Sequence, residues 1–251
     1  MFSILQENML IKNNHLQIYG VMDALLKNKI IDSRNEELWN SLIDKYDISV
    51  NVVDSGGSRI IREDDKVSLE LAPFQVDVSI FTHELLHLWL WKNECDFVNC
   101  MQIKLFNIDN KSVSDLFDNG FDYTFSNITD HICMFEKYKE LGCDIDKFLP
   151  DKNAIADCWL DIVSFTSTYN KMSIEHDRFF ITCILSIYEA KYTGNGHIDL
   201  LTLLRISNNA LFDIIEEFVN NIKDDSPYKL SYNSCVSFLA NDLDEYYSSV
   251  S

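Results

Sequence analysis

Residues 74–92 read FQVDVSIFTHELLHLWLWK and contain the pentad His83-Glu84-Leu85-Leu86-His87. Two residues four positions apart on a helix lie one turn apart on the same face, so both imidazoles can reach a single Zn²⁺. Glu84 lies beside them, where its carboxylate can hold a water molecule at the metal. The pentad therefore predicts a metal site, formed by His83 and His87, with Glu84 as its acid–base group.

The surroundings of the pentad favour a buried helix. Pro73 precedes the stretch and no helix-breaking residue follows before residue 92, so we expect one helix across it. Its residues are apolar on almost every side, which is typical of a buried helix. Burying two imidazoles and a carboxylate without partners is costly, and a metal ion would satisfy all three. The alternative interpretation is a core helix whose histidines are satisfied by hydrogen bonds.

A strand is predicted just before this helix. Residues 67–71 read VSLEL, and this alternation of apolar and polar residues is typical of a half-buried strand. A strand that leads into a buried HELLH helix resembles the zincin metallopeptidases, over roughly residues 48–142. The resemblance implies an α+β fold that is predominantly α-helical, with a small sheet before the active-site helix. It also implies that an extended peptide substrate can pair with the edge of that strand.

A catalytic Zn²⁺ usually takes three protein ligands and one water, so a third ligand must lie outside the pentad. The metzincin pattern puts a histidine six residues after the second one, but position 93 is Asn. Glu94 lies about 10 Å further along a continuous helix, so it can bind the same metal only if the helix ends first. We therefore expect the third ligand to come from a later segment.

His131 is the third ligand that the sequence favours. Residues 126–138 read as a helix with Ser126 or Asn127 as N-cap, and Gly142 stands just past its end. His131 shares a helix face with apolar residues, which predicts that it points inward.

Asp130 and Glu136 remain the alternative ligands, each rotated by about 100° or more around the helix from His131. A third ligand on a downstream helix resembles the gluzincin arrangement, although the third ligand of the gluzincins is a Glu and not a His. A partly exposed histidine on an amphipathic helix is the alternative interpretation of His131.

The ligands imply the chemistry. Zn²⁺ would lower the pKa of its bound water toward about 7 and polarise a substrate carbonyl. Glu84 would take the water's proton and later pass it to the leaving amine. Tyr138 and His176 are candidate donors to the oxyanion, although such residues on amphipathic helices mostly serve packing. Asp157 and Asp161 are one turn apart in a predicted helix, and a solvated helix face is their simpler interpretation.

The length of 251 residues fits one zincin-like domain over residues 1–251, with a soft boundary near Pro150 and a helical part over 151–251. Only seven Gly and three Pro occur, which favours long helices. Outside the pentad helix, we expect strands within 48–54 and 59–72 and helices at 14–29, 34–46, 112–118, 126–141, 152–168, 174–192, 198–222 and 232–247.

Composition narrows the class of protein. A net charge of −19 argues against nucleic acid or an anionic membrane as a partner, because phosphate recognition needs basic patches. No run approaches the 18 or so apolar residues of a membrane span, and the N-terminus lacks a secretory signal pattern. Seven Cys without a CxxC pair indicate reduced thiols and a cytoplasmic location.

Two functions from different classes follow from the sequence. The first is a cytoplasmic zinc metallopeptidase, a hydrolase that acts on a peptide or protein substrate through Glu84. The second is a non-catalytic helical interaction or scaffold protein with a degenerate or structural zinc site. An intact Glu84 favours the first, because a closed structural site has no use for a base at that position.

Overall fold

The computed structural model describes residues 24–54, 57–149, 173–194, 198–223 and 231–250. Within these ranges the chain is mostly helical and contains one three-stranded sheet, which confirms the α+β, predominantly α-helical fold class. The described strands are β1 Asp47–Val52, β2 Arg59–Glu63 and β3 Lys66–Leu71. The described helices are α1 Ala24–Ile30, α2 Glu36–Ile43, α3 Val78–Lys92, α4 Phe97–Leu105, α5 Lys111–Leu116, α6 Phe121–Glu140, α7 Ile174–Tyr192, α8 Ile198–Ser207, α9 Asn209–Lys223 and α10 Tyr232–Val250.

The described residues divide into two compact units. The first contains residues 24–92 and 138–148, and so holds the sheet, α1, α2, α3 and the last turn of α6. The second contains residues 93–137 and the described residues after 148, and is entirely helical. No helix in the described part of the chain is long and apolar enough to cross a membrane.

The sheet of the first unit has the order β1-β3-β2, with β1 parallel and β2 antiparallel to β3. Val67, Leu69 and Leu71 of β3 are buried and the residues between them are half-buried, as the alternation predicts. Because β3 pairs on both sides, the prediction that a peptide adds to the edge of this strand is wrong. Among the described strands, β1 and β2 form the edges.

Helix α3 begins at Val78, four residues later than expected. Pro73–Gln75 form a separate 3-10 turn, and Phe74 is exposed. The start of α3 is set by Asp77, whose carbonyl accepts from the Phe81 N–H and whose carboxylate accepts from the Ser79 N–H at 2.9 Å. This is the arrangement of a helix N-cap. The predicted burial of the pentad helix is confirmed.

Polar side chains fix α3 inside the first unit. The Asn35 amide, at the start of α2, donates to the Ile30 carbonyl at 2.8 Å and to the Thr82 hydroxyl at 2.9 Å. On another turn of α3, the Ser79 hydroxyl accepts from the Asp144 N–H at 3.0 Å. These bonds satisfy buried polar groups and set the rotation of α3, and with it the direction in which the pentad points.

The end of α6 belongs to the first unit and is capped by glycine, as the sequence predicts. Gly142 has a φ of 71°, its N–H donates to the Lys139 carbonyl, and the Cys143 N–H donates to the Tyr138 carbonyl. These two bonds form a Schellman motif, in which glycine takes the left-handed conformation at little steric cost. The prediction that α6 ends just before Gly142 is confirmed.

The second unit has a large apolar core built from α4–α10, with a cluster of aromatic rings around Phe97, Phe125 and Phe218. Helix α6 begins at Phe121, so the expected N-cap at Ser126 or Asn127 is wrong. The chain instead enters the helix through Gly120, whose φ is 80°. Tertiary packing of Phe121 and Phe125 favours the earlier start over the local capping signal.

Four other segments differ from expectation or lie outside the described residues. Helix α4 was not predicted, and residues 198–222 form two helices rather than one. The break is at buried Asn208, whose side chain accepts from the Leu211 N–H and donates to the Tyr246 hydroxyl. The predicted helix at 152–168 and the first ten residues of the one at 14–29 lie outside the described residues.

Candidate metal centre

Helix α3 places His83 and His87 on one face with their Nε2 atoms 3.3 Å apart. His87 is buried, with 7% of its surface exposed, and His83 is half-buried. Two nitrogen ligands on a tetrahedral Zn²⁺ with bonds of about 2.0–2.1 Å lie about 3.3–3.4 Å apart. The separation in α3 therefore fits two ligands of one zinc ion. It also fits an N–H···N hydrogen bond between the rings.

His131 of α6 completes a group of three histidines. Each of His83, His87 and His131 offers a ring nitrogen, and these atoms all lie within 4.8 Å of one another. Within the described residues this is the group of three or more potential ligands that could hold a metal ion. Three neutral imidazoles are a donor set that suits Zn²⁺ and that leaves a fourth position for water or substrate. The donor set therefore fits the metal that the pentad predicts.

Glu84 follows His83 directly on α3 and is half-buried. Burial raises the pKa of its carboxyl above the usual value, and the nearby His87 opposes that rise. A carboxyl with a raised pKa can both accept and donate a proton nearer neutral pH than an exposed one can. The environment of Glu84 therefore suits an acid–base group.

Glu189 is a residue that the sequence interpretation missed. Its carboxylate Oε1 lies 2.5 Å from His131 Nδ1, and both side chains are nearly buried. Burial raises the pKa of Glu189 to about 8. A negative charge on this carboxyl is therefore costly unless the Nδ1–H of His131 donates to it.

A sequence signal for Glu189 does exist. Ile181 and Leu185 precede Glu189 at intervals of four, and both are fully buried. An acidic residue at the next position of this apolar face must have a partner, because a buried charge is costly unless it is paired. The signal does not identify the partner, since His131 is 58 residues away.

The alternative third ligands are not in the three-histidine group. Asp130 is buried on another face of α6, and Glu136 is exposed. Helix α3 does end before Glu94, at Lys92, but Glu94 is exposed and takes a left-handed conformation with a φ of 63°. His131 is the residue among these four that lies near the pentad histidines.

Tyr138 and His176, the candidate oxyanion donors, make their contacts with other residues than the three histidines. Tyr138 is fully buried, its hydroxyl donates to the Asp144 carbonyl at 2.9 Å, and its ring contacts Phe148. Phe148 also contacts the ring of His83, with the centroids 5.1 Å apart, so Tyr138 supports the site through packing. His176 lies in the first turn of α7, and its N–H donates to the Ser173 hydroxyl. Neither residue belongs to the three-histidine group.

Asp157 and Asp161 lie outside the described residues.

Comparison with known proteins found no match to a family model, to a curated protein or to a solved structure. The function is therefore inferred from the residues and geometry of the three-histidine group.

Proposed function

We propose that this chain is a zinc-dependent hydrolase, and more specifically a metallopeptidase. His83, His87 and His131 hold the metal ion, and Glu84 is the general base. The observation that carries the proposal is the convergence of three ring nitrogens within 4.8 Å of one another, with Glu84 directly after His83 in the chain. The zincin-like core is part of this proposal. A small sheet before a buried HELLH helix supports it.

When bound, a zinc ion acidifies water and polarises a carbonyl oxygen. Glu84 accepts a proton from the attacking water and then donates it to the leaving amine. Its raised pKa, caused by burial, favours the first of these transfers, because a stronger base accepts the proton of water more readily.

We further propose that the enzyme acts in the cytoplasm on a peptide or protein. Seven cysteines without a CxxC pair support a reducing compartment, and the net charge of −19 disfavours nucleic acid as a substrate. Because a strongly acidic protein attracts basic segments, the net charge supports a preference for basic substrates.

The competing function is a non-catalytic helical interaction protein in which the histidines are structural. The 3.3 Å separation of the two Nε2 atoms favours this candidate as well, because a hydrogen bond between the rings requires no metal. The two functions differ in the role of Glu84, and a chain that binds no zinc is compatible only with the second.

Zinc content tests the proposal. We expect about one zinc ion per wild-type chain by inductively coupled plasma mass spectrometry, and loss of zinc in His83→Ala and His131→Ala. His176→Ala is the matched control, because His176 is a half-buried histidine outside the three-histidine group. Zinc lost in His83→Ala and kept in His131→Ala would move the third ligand to another residue. A wild-type chain that takes up no zinc would overturn the proposal.

A further inference from the structure

Helices α6 and α7 of the second unit are joined by a buried pair of titratable side chains. The Glu189 carboxylate lies 2.5 Å from Nδ1 of His131, and the exposed fractions of the two side chains are 12% and 9%. A buried carboxylate of this kind is unusual unless it has a specific partner. The pair needs an explanation in terms of what each residue does for the other.

Glu189 is held in a defined position. It lies in the last turn of α7, where its own carbonyl accepts from the Thr193 N–H at 2.9 Å. The residues on either side of it, Tyr188 and Ala190, are buried, and the Tyr188 hydroxyl donates to Glu216 of α9 at 2.5 Å. A carboxylate on so constrained a backbone has little freedom to turn away from His131.

The contact determines which nitrogen of His131 can bind a metal. A carboxylate oxygen accepts only from an N–H group, so Glu189 favours the proton on Nδ1. The lone pair then lies on Nε2, which is also the atom through which His83 and His87 approach each other. A carboxylate behind a ligand imidazole also makes that imidazole a stronger ligand.

We propose that Glu189 is a positioning residue that holds His131 as an Nε2 ligand of the metal ion. This inference rests on the proposed metal site. Glu189 contacts neither metal nor substrate, and acts through the orientation, tautomer and basicity of the His131 ring. If the pair only linked α6 to α7, its loss would change stability but would leave zinc affinity unchanged.

Zinc affinity of the full chain tests the inference. We expect Glu189→Leu to weaken zinc binding about 10–100-fold, as measured by competition with a chromogenic chelator. Glu189→Gln keeps an oxygen that accepts from Nδ1–H, so we expect it to restore part of the affinity. Glu216→Gln is the control, because it also removes a carboxylate that is hydrogen-bonded within the second unit, and we expect it to leave zinc affinity unchanged.

A second measurement needs no metal. At about pH 9.5, in chelator-treated protein labelled with ¹⁵N in histidine, we expect the His131 ring to carry its proton on Nδ1. In Glu189→Leu we expect the proton to move to Nε2. His131→Ala identifies the signal by its disappearance. The tautomer is measured in folded protein, and Glu189→Met, which also lacks an oxygen acceptor, takes the place of Glu189→Leu if the leucine variant does not fold.

The outcomes separate this inference from the proposed function. Unchanged zinc affinity in both Glu189 variants, with zinc still bound by the wild type, would overturn the positioning role and leave the hydrolase proposal standing. A proton on Nε2 of His131 in the wild type would overturn the positioning role as well. A wild-type chain that binds no zinc would overturn both.

Discussion

The Asn35 amide donates a 2.9 Å hydrogen bond to the Thr82 hydroxyl, one residue before the first histidine of the pentad. The same amide donates to the Ile30 carbonyl, so one buried side chain joins α1, α2 and α3. Thr82 in turn donates to the Val78 carbonyl in the first turn of α3. The orientation of the α3 face that carries His83 and His87 is therefore tied to the helices that precede the sheet.

Asn35→Ala should destabilise the protein by about 1–3 kcal/mol, because it leaves the buried Ile30 carbonyl without this donor. Chemical denaturation followed by circular dichroism measures the free energy of unfolding. Asn107→Ala is the matched control, since Asn107 is exposed and also donates to a backbone carbonyl. We expect the control to stay within about 0.5 kcal/mol of the wild type. Equal losses in the two variants would contradict the role assigned to Asn35.

Glu84→Gln should abolish peptide hydrolysis while leaving zinc content unchanged. The amide cannot accept a proton from water, and general acid–base catalysis contributes about 10²–10⁴-fold to rate. Cleavage of a peptide library followed by mass spectrometry measures activity, and metal analysis of the same samples measures zinc. Glu94→Gln, a change at an exposed residue beyond the end of α3, serves as the control. Hydrolysis that survives in Glu84→Gln would show that another residue is the base.

The ion pair between Asp77 and Lys147 should make stability depend on pH. The Lys147 ammonium lies 2.8 Å from the Asp77 carboxylate, and both side chains are more than a third exposed. Burial alone would raise the pKa of Asp77, but hydrogen bonds from Lys147 and the Ser79 N–H lower it below its usual value. The contribution of the pair is therefore complete above about pH 4, the pKa of an unfolded Asp, and is lost as the pH falls through the folded value.

Asp77→Asn isolates this contribution, because the amide oxygen can still cap the Ser79 N–H. We expect a loss of less than about 1 kcal/mol at neutral pH, since the pair is screened by solvent. The difference from the wild type should shrink as the pH falls below about 4, and also in about 1 M salt. Urea denaturation at each condition measures it. A difference that stays constant across this range would assign the effect to the cap and not to the charge.

Gly142→Ala should destabilise the protein by about 1–2 kcal/mol, because alanine is strained in the left-handed conformation. A Cβ at this position would meet no atom within 4 Å, so the cost comes from the backbone alone. Gly57→Ala is the control, since Gly57 also has open space and its φ does not lie in the left-handed region. Thermal unfolding compares the two. A stable Gly142→Ala variant together with a destabilised Gly57→Ala variant would contradict this explanation.

Local patterns predicted much of the fold. The alternation in residues 67–71 identified β3, the apolar stretch around the pentad identified the buried helix, and Gly142 marked the end of α6. Each of these signals depends on residues that are close in sequence. Asp77, and not Pro73, sets the start of α3, because its carboxylate caps the Ser79 N–H.

Long-range packing explains the errors. Strand β3 has two partners: β2, directly before it, is antiparallel to it, and β1, earlier in the chain, pairs with its other side in parallel. No local pattern distinguishes such a central strand from an edge strand. Helix α6 begins at Phe121 because aromatic contacts within the second unit extend it beyond the apparent caps. Such packing outweighs the intrinsic helix propensities of single residues, which differ by about a few tenths of a kcal/mol.

The sequence by itself determined that His83 and His87 share one face of a buried helix with Glu84 beside them, because helical geometry relates residues four positions apart. Only the tertiary structure decided that His131 lies near them, in preference to Asp130, Glu136 or Glu94. It alone also placed Glu189 against Nδ1 of His131, across 58 residues of chain. Contacts between distant segments depend on how whole helices pack, and helix packing is a property of the complete core.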